Sequence, residues 1–143
     1  MTTPLEIRTA ATQATLDRFG DQPFKWGKND CARMVAYHLR KLGYPVQLAK
    51  AGTYKSAIGA RRALQRLGFA SLQEAVDSYG LARIPPAAAI IGDVIELPAD
   101  DALGALGVAL GNGRVLAYHQ DAEGAVVIQP AGYVTAWRTI EHG

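Results

Sequence analysis

The sequence predicts an α+β domain, with helices in the first half packed on an antiparallel sheet made by the second. Three observations carry this expectation. Up to about residue 80, apolar residues recur at three- and four-residue spacing, the period of one helix face. From Asp93 onward the apolar runs are short, and glycine turns separate several of them, as in antiparallel strands. Between the two lies Ile84-Pro85-Pro86-Ala87-Ala88-Ala89, where two prolines exclude a central strand or helix. Helices first and strands after is an α+β order.

Taken in order, Thr3-Pro4-Leu5-Glu6 reads as a capping box with proline at the first helical position. It opens a helix to about Phe19 that stops at Gly20. The apolar face of that helix is weak (Ile7, Ala11, Ala14, Leu16), which predicts a peripheral position. A turn, Pro23-Phe24-Lys25-Trp26-Gly27-Lys28, leads to Asn29 and Asp30, both good N-cap residues. The helix they open carries Ala32, Val35, Ala36, Leu39 and Leu42 on one face and ends at Gly43. A loop follows, centred on Ala51-Gly52-Thr53-Tyr54. A second amphipathic helix then runs from about Ser56 to Leu67, marked by Ala57, Ala60, Leu64 and Leu67, with Arg61, Arg62 and Arg66 largely on its solvated side. Ser71-Leu72-Gln73-Glu74 is another capping box, opening a short helix through Tyr79 that Gly80 stops. Strands are predicted at Asp93 to Leu97, Ala105 to Leu110, Arg114 to His119, Ala125 to Gln129 and Thr135 to Ile140. Gly111-Asn112-Gly113 is a strong hairpin signal between the second and third of them.

The whole-chain quantities bound the function. With 143 residues, 49% hydrophobic and 20% charged, the chain suits a single domain over 1–143 that buries a core without disulfides or metal. A net charge of +2 gives no electrostatic case for nucleic acid. A lone cysteine makes neither a disulfide nor a zinc site, so no cofactor or metal is expected. There is neither a signal peptide at Met1-Thr2-Thr3-Pro4-Leu5-Glu6 nor a membrane span, so work outside the cell needs another export route, such as delivery inside a phage particle.

The lone cysteine, Cys31, sits at the start of the second helix, where the dipole and free N–H groups favour a thiolate. An accessible thiol there is expected to titrate below about 8.5. A cysteine nucleophile needs a base. Of the three histidines, His142 is two residues from the C-terminus, and His38 is seven residues along the same helix. Seven residues span about 10 Å, too far for proton transfer, and His38 reads as a partly exposed helix residue. His119 remains, with Asp121 to orient it.

Aromatic-Lys-Trp-Gly, followed by Asp-Cys at the head of an apolar helix, resembles the NlpC-type cell-wall peptidases, a compact papain-like superfamily. Gly92-Asp93-Val94-Ile95 is similar to that family's strand entry, and Leu106 to Ala117 to its central hairpin. The likeness covers roughly residues 23 to 120. The short first loop and the Tyr54 to Pro86 insertion resemble a small branch found among phage and prophage tail genes. The resemblance implies Cys31 as nucleophile, with a cleft whose binding residues are Trp26, Asp30 and Tyr118. It also places Ala105 at the catalytic histidine position and Ala117 at the orienting one, and neither can move a proton. The expectation is therefore a catalytically degenerate domain, a structural or assembly protein of a phage tail tip. Its partners would be other tail-tip or baseplate proteins, and its location the virion tail. The alternative is an active peptidase or amidase that cuts peptidoglycan stem peptides with Cys31 and a shifted His119. A third reading is a cleft that holds a cell-wall peptide without cutting it.

Overall fold

The computed structural model describes residues 3–46, 52–98, 105–118, 125–128, 132 and 134–139. Four helices come first: α1 (Pro4–Phe19), α2 (Cys31–Lys41), α3 (Ala57–Arg66) and α4 (Leu72–Asp77). A three-residue strand β1 (Ala82–Ile84) and a single 3-10 turn (Pro86–Ala88) lead into β2 (Val94–Leu97), β3 (Ala105–Gly111), β4 (Arg114–Tyr118), β5 (Ala125–Ile128) and β6 (Thr135–Arg138). The strands form one six-stranded antiparallel sheet in the order β1-β6-β2-β3-β4-β5. The mixed α+β architecture is the one the sequence predicts. Strand β1 is an addition to it: three residues, two of them exposed, give no alternation to read. Among the described residues no helix is long and apolar enough to cross a membrane.

The helix starts obey local rules. The hydroxyl of Thr3 accepts from the Glu6 N–H, and the Glu6 carboxylate accepts from Thr3, each at 3.1 Å. The side chains of Asp30, Ser56 and Ser71 cap α2, α3 and α4 in the same sense. Helix α2 lays Val35, Ala36, Leu39 and Leu42 against Val94, Leu106, Val108 and Trp137, so it lies across one face of the sheet. Leu39 is 2% exposed. The sheet's far face is apolar as well, with Ile95, Leu97, Ala109, Val115, Ala117 and Ala136 all buried there. Pleating forces the split, because successive side chains point to opposite faces.

Helix α1 corrects the expectation of a peripheral position. Its buried residues are Arg8, Ala11, Thr12, Thr15 and Phe19, spaced as a helix face but mostly polar. The polar groups converge on Asp93, which is 0% exposed. One guanidinium nitrogen of Arg8, Nη1, donates to Asp93 Oδ1 at 2.8 Å, to Thr139 Oγ1 at 3.0 Å and to the Ile91 carbonyl at 3.1 Å; Nη2 donates to the Thr139 carbonyl. Asp93 Oδ2 accepts from the Ile90 N–H at 2.9 Å and from Arg138 Nε at 3.0 Å. At Gly92 a Cβ atom would sit 3.2 Å from Arg8 Cβ, at a backbone φ of +89°, so glycine is required for α1 to approach.

His38 belongs to this cluster and is not partly exposed as expected; it is 0% exposed. Its Nε2 donates to the Gly92 carbonyl at 2.8 Å, which fixes the tautomer, and its Nδ1 lies 3.0 Å from Thr15 Oγ1. Burial holds its pKa below the ordinary histidine value.

Candidate functional site

Asp30 caps α2, and Cys31 is the first helical residue after it. Ahead of them, Lys25 to Asn29 form a tight turn in which the two end residues exchange backbone hydrogen bonds at 2.9 and 3.0 Å. This turn carries Trp26 into contact with the helical core and brings the Gly27 N–H to Asp30 Oδ2 at 2.8 Å. The same oxygen accepts from the Tyr54 hydroxyl at 2.7 Å, and Oδ1 accepts from the Arg33 N–H at 2.8 Å. Three donors already engage the Asp30 carboxylate, and what it does here is hold the cleft together.

The cleft beside Cys31 measures about 390 Å³ including its open side. Trp26 and Asp30 line it on one side and Tyr54, Ala63 and Leu64 on the other, so two of the three expected binding residues meet the cysteine there. Tyr118 does not line this cleft, although the Asp30 charge reaches its phenol. Its ring closes an edge-to-face series with Phe24 (5.8 Å between centroids) and Phe19 (6.3 Å), and its buried hydroxyl has no partner among the described residues. Burial pushes that phenol up to about 12. His119 and Asp121 fall outside the described residues. So does His142.

The thiol departs from the helix-dipole expectation. Burial, the largest effect, pushes Cys31 up to about 11. The backbone of Leu106 favours the thiolate, as do those of Ala32 and Cys31 more weakly, while the Asp30 charge opposes it. Desolvation outweighs the N-terminal donors because the surrounding side chains are apolar. Cys31 is half-buried as a residue and lines the cleft.

The partner positions also differ from the resemblance. Ala105 and Ala117 pack on the far face of the sheet, with Ile95, Leu97 and Ala109. The residues of β3 and β4 that turn towards the helices are Leu106, Val108 and Leu116. Beside the thiol stands Leu106, one place along from the residue that the motif aligns with a catalytic histidine. The one described histidine, His38, has both ring nitrogens engaged in the Asp93 cluster.

That cluster is the feature missed in the sequence, although a signal for it existed. His38 occupies a stripe position with Val35, Leu39 and Leu42, and a polar residue inside an apolar stripe announces a buried partner. No group of three or more metal-ligating side chains occurs among the described residues. No curated protein matches the chain. A family model described as "Domain of unknown function (DUF6950)" matches residues 4–139, nearly the full length, and the chain therefore belongs to the DUF6950 family.

Proposed function

We propose that this DUF6950 protein is a papain-like domain of the NlpC type that has lost its chemistry and serves as a structural or assembly component of a phage or prophage tail tip. Support for the fold comes from the motif order and from a cysteine-headed helix lying across an antiparallel sheet. The tail-tip setting rests on the resemblance of the short first loop and the Tyr54 to Pro86 insertion to the tail-gene branch. The observation that carries the loss of chemistry is the environment of the thiol. Cys31 faces apolar side chains and the Leu106 backbone, and burial pushes it up to about 11. At neutral pH such a sulfur is a thiol, and it meets no imidazole among the described residues.

Amide cleavage needs more than a sulfur. The leaving amine must take a proton as the tetrahedral intermediate collapses, and that acid–base help is worth about 10²–10⁴-fold. Purified protein incubated with sacculi should release no stem-peptide fragments above a buffer blank, and Cys31→Ala should leave particle assembly intact. Fragment release that both Cys31→Ala and His119→Ala abolish would overturn the reading and make Cys31 and His119 the catalytic pair.

A further inference from the structure

The net charge of +2 is the sum of two unlike parts. Between Asp21 and Glu74 the chain carries ten lysines and arginines and one carboxylate, a balance of +9; the rest carries five against twelve, a balance of −7. Asymmetry of this size within one chain points to an anionic partner. The single carboxylate of the basic stretch is Asp30, which is 2% exposed and bonded by three donors.

Folding brings several of these cations together. The turn from Lys25 to Lys28 abuts the chain just ahead of α3: a Cβ at Gly27 would sit 2.7 Å from the Tyr54 carbonyl oxygen, and the Trp26 and Tyr54 rings lie 6.4 Å apart. Arg33 reaches the same place from the first turn of α2, donating to the Gly52 carbonyl at 2.8 Å. Lys55 follows, and α3 then turns Ala60, Ala63 and Leu64 inward and Arg61 and Arg62 to solvent. Lys25, Lys28, Lys55, Arg61 and Arg62 are exposed, and none of them makes an ion pair among the described residues. On the sheet side, by contrast, Arg83 is paired with Asp77 and Arg138 with Asp93.

We propose that the Lys25 to Lys28 turn, Lys55 and the outer face of α3 form one surface that binds nucleic acid through its phosphates. A nucleic acid offers a row of anions to match a row of cations, and the arginine fork takes phosphate oxygens two at a time. The contacts are to the backbone, so affinity follows charge and salt rather than base sequence. A membrane surface is the poorer match. Binding there needs an apolar face to insert, and the apolar face of α3 is spent on the core, leaving Ile58 alone turned outward at 67% exposure. Phosphate contacts use neither the thiol nor the cleft, so this surface stands whether or not the domain is an enzyme.

Fluorescence anisotropy of labelled DNA tests it, with a single strand of about 20 nucleotides and a duplex of about 20 base pairs as probes between about 50 and 200 mM salt. Five phosphate contacts predict that log K falls with log salt at a slope of about −4.5 on the duplex and about −3.5 on the single strand. Arg61→Gln combined with Arg62→Gln should flatten the duplex slope by about 2 and weaken binding about tenfold per lost cation at the lower salt. Lys25→Gln combined with Lys28→Gln should do the same from outside α3, so one misfolded variant does not end the test. Arg18→Gln combined with Arg114→Gln removes equal charge from exposed positions outside the surface and should leave the slope unchanged. No saturable binding of either probe at the lower salt overturns the proposal, as does a control pair that weakens binding as much as the α3 pair. Cosedimentation with phosphatidylserine vesicles in place of DNA binding gives the surface to a membrane, and salt-sensitive self-association in its place gives it to a second copy of the chain. Either result overturns the proposal.

Discussion

Two places in this molecule gather residues that chemistry could use, and they are built in opposite ways. Around Asp93 the protein buries Arg8, His38 and Thr139, adds the half-buried Arg138, and gives them all hydrogen-bond partners. Around Cys31 it gathers an apolar lining and one sulfur, with Asp30 tied down by three donors. The charged site joins α1, α2 and the start of β2, with Asp93 itself closed to solvent. The open cleft is lined, among the described residues, by no histidine, lysine or arginine. Charge density alone therefore does not find a functional site; what matters is whether the polar groups are already spent on one another.

The largest effect should come from the charged joint. Asp93→Ala leaves the Arg8 guanidinium buried beside a hole, and breaking one partner of a buried pair costs about 3–5 kcal/mol. Urea unfolding should show a loss of that size. Arg8→Met combined with Asp93→Ala should lose less than the sum of the two single changes, since neither charge is then stranded. A single-variant loss below about 1 kcal/mol would place the joint among weakly contributing surface pairs.

This contrast also explains what could be read from the sequence. Capping residues and the α2 stripe are local and apolar, so the starts of α1 to α4 and the packing face of α2 were legible to within a residue or two. The mixed α+β order was legible for the same reason. The buried side of α1 was not, because Arg8, Thr12 and Thr15 carry a helix period without carrying hydrophobicity. Cys31 was correctly placed at a helix start, yet its thiol titrates in the opposite direction. The dipole is a property of the helix, while desolvation comes from Trp26, Tyr54 and Leu64, contributed by other segments. The far face of the sheet was hidden too, being assembled from small residues such as Ala109, Ala117 and Ala136 on separate strands.

A smaller effect should appear in the pH dependence of stability. The pKa of His38 is lowered in the folded state, chiefly by burial, so the unfolded chain takes up a proton first as pH falls. Its contribution is flat above the unfolded value of about 6.5 and turns destabilising below it, by about 1.4 kcal/mol per pH unit until the folded value is reached. The wild type should thus lose stability as pH falls below about 6.5 more steeply than His38→Gln, whose side chain does not titrate. Chemical denaturation at a series of pH values measures both slopes. Equal slopes would mean that the His38 imidazole accepts a proton as easily inside as outside.

The smallest expected effect is a null, and it tests the cleft against the resemblance. Motif alignment sets Ala105 at the position of a catalytic histidine, but the pleat of β3 turns Ala105 to the face of Ile95 and Leu97 and leaves Leu106 on the side of α2. A histidine introduced by Ala105→His is then separated from the sulfur by the sheet. The pH profile of iodoacetamide labelling should keep its midpoint at about 11. Leu106→His sets a polar ring on the side of α2. It relieves the desolvation that is the largest cause of the raised thiol pKa, so the midpoint should fall, at a cost in stability from the lost leucine. Labelling profiles of the two variants, measured against the wild type, compare the faces directly. A midpoint that falls in Ala105→His and stays put in Leu106→His would reverse the assigned faces.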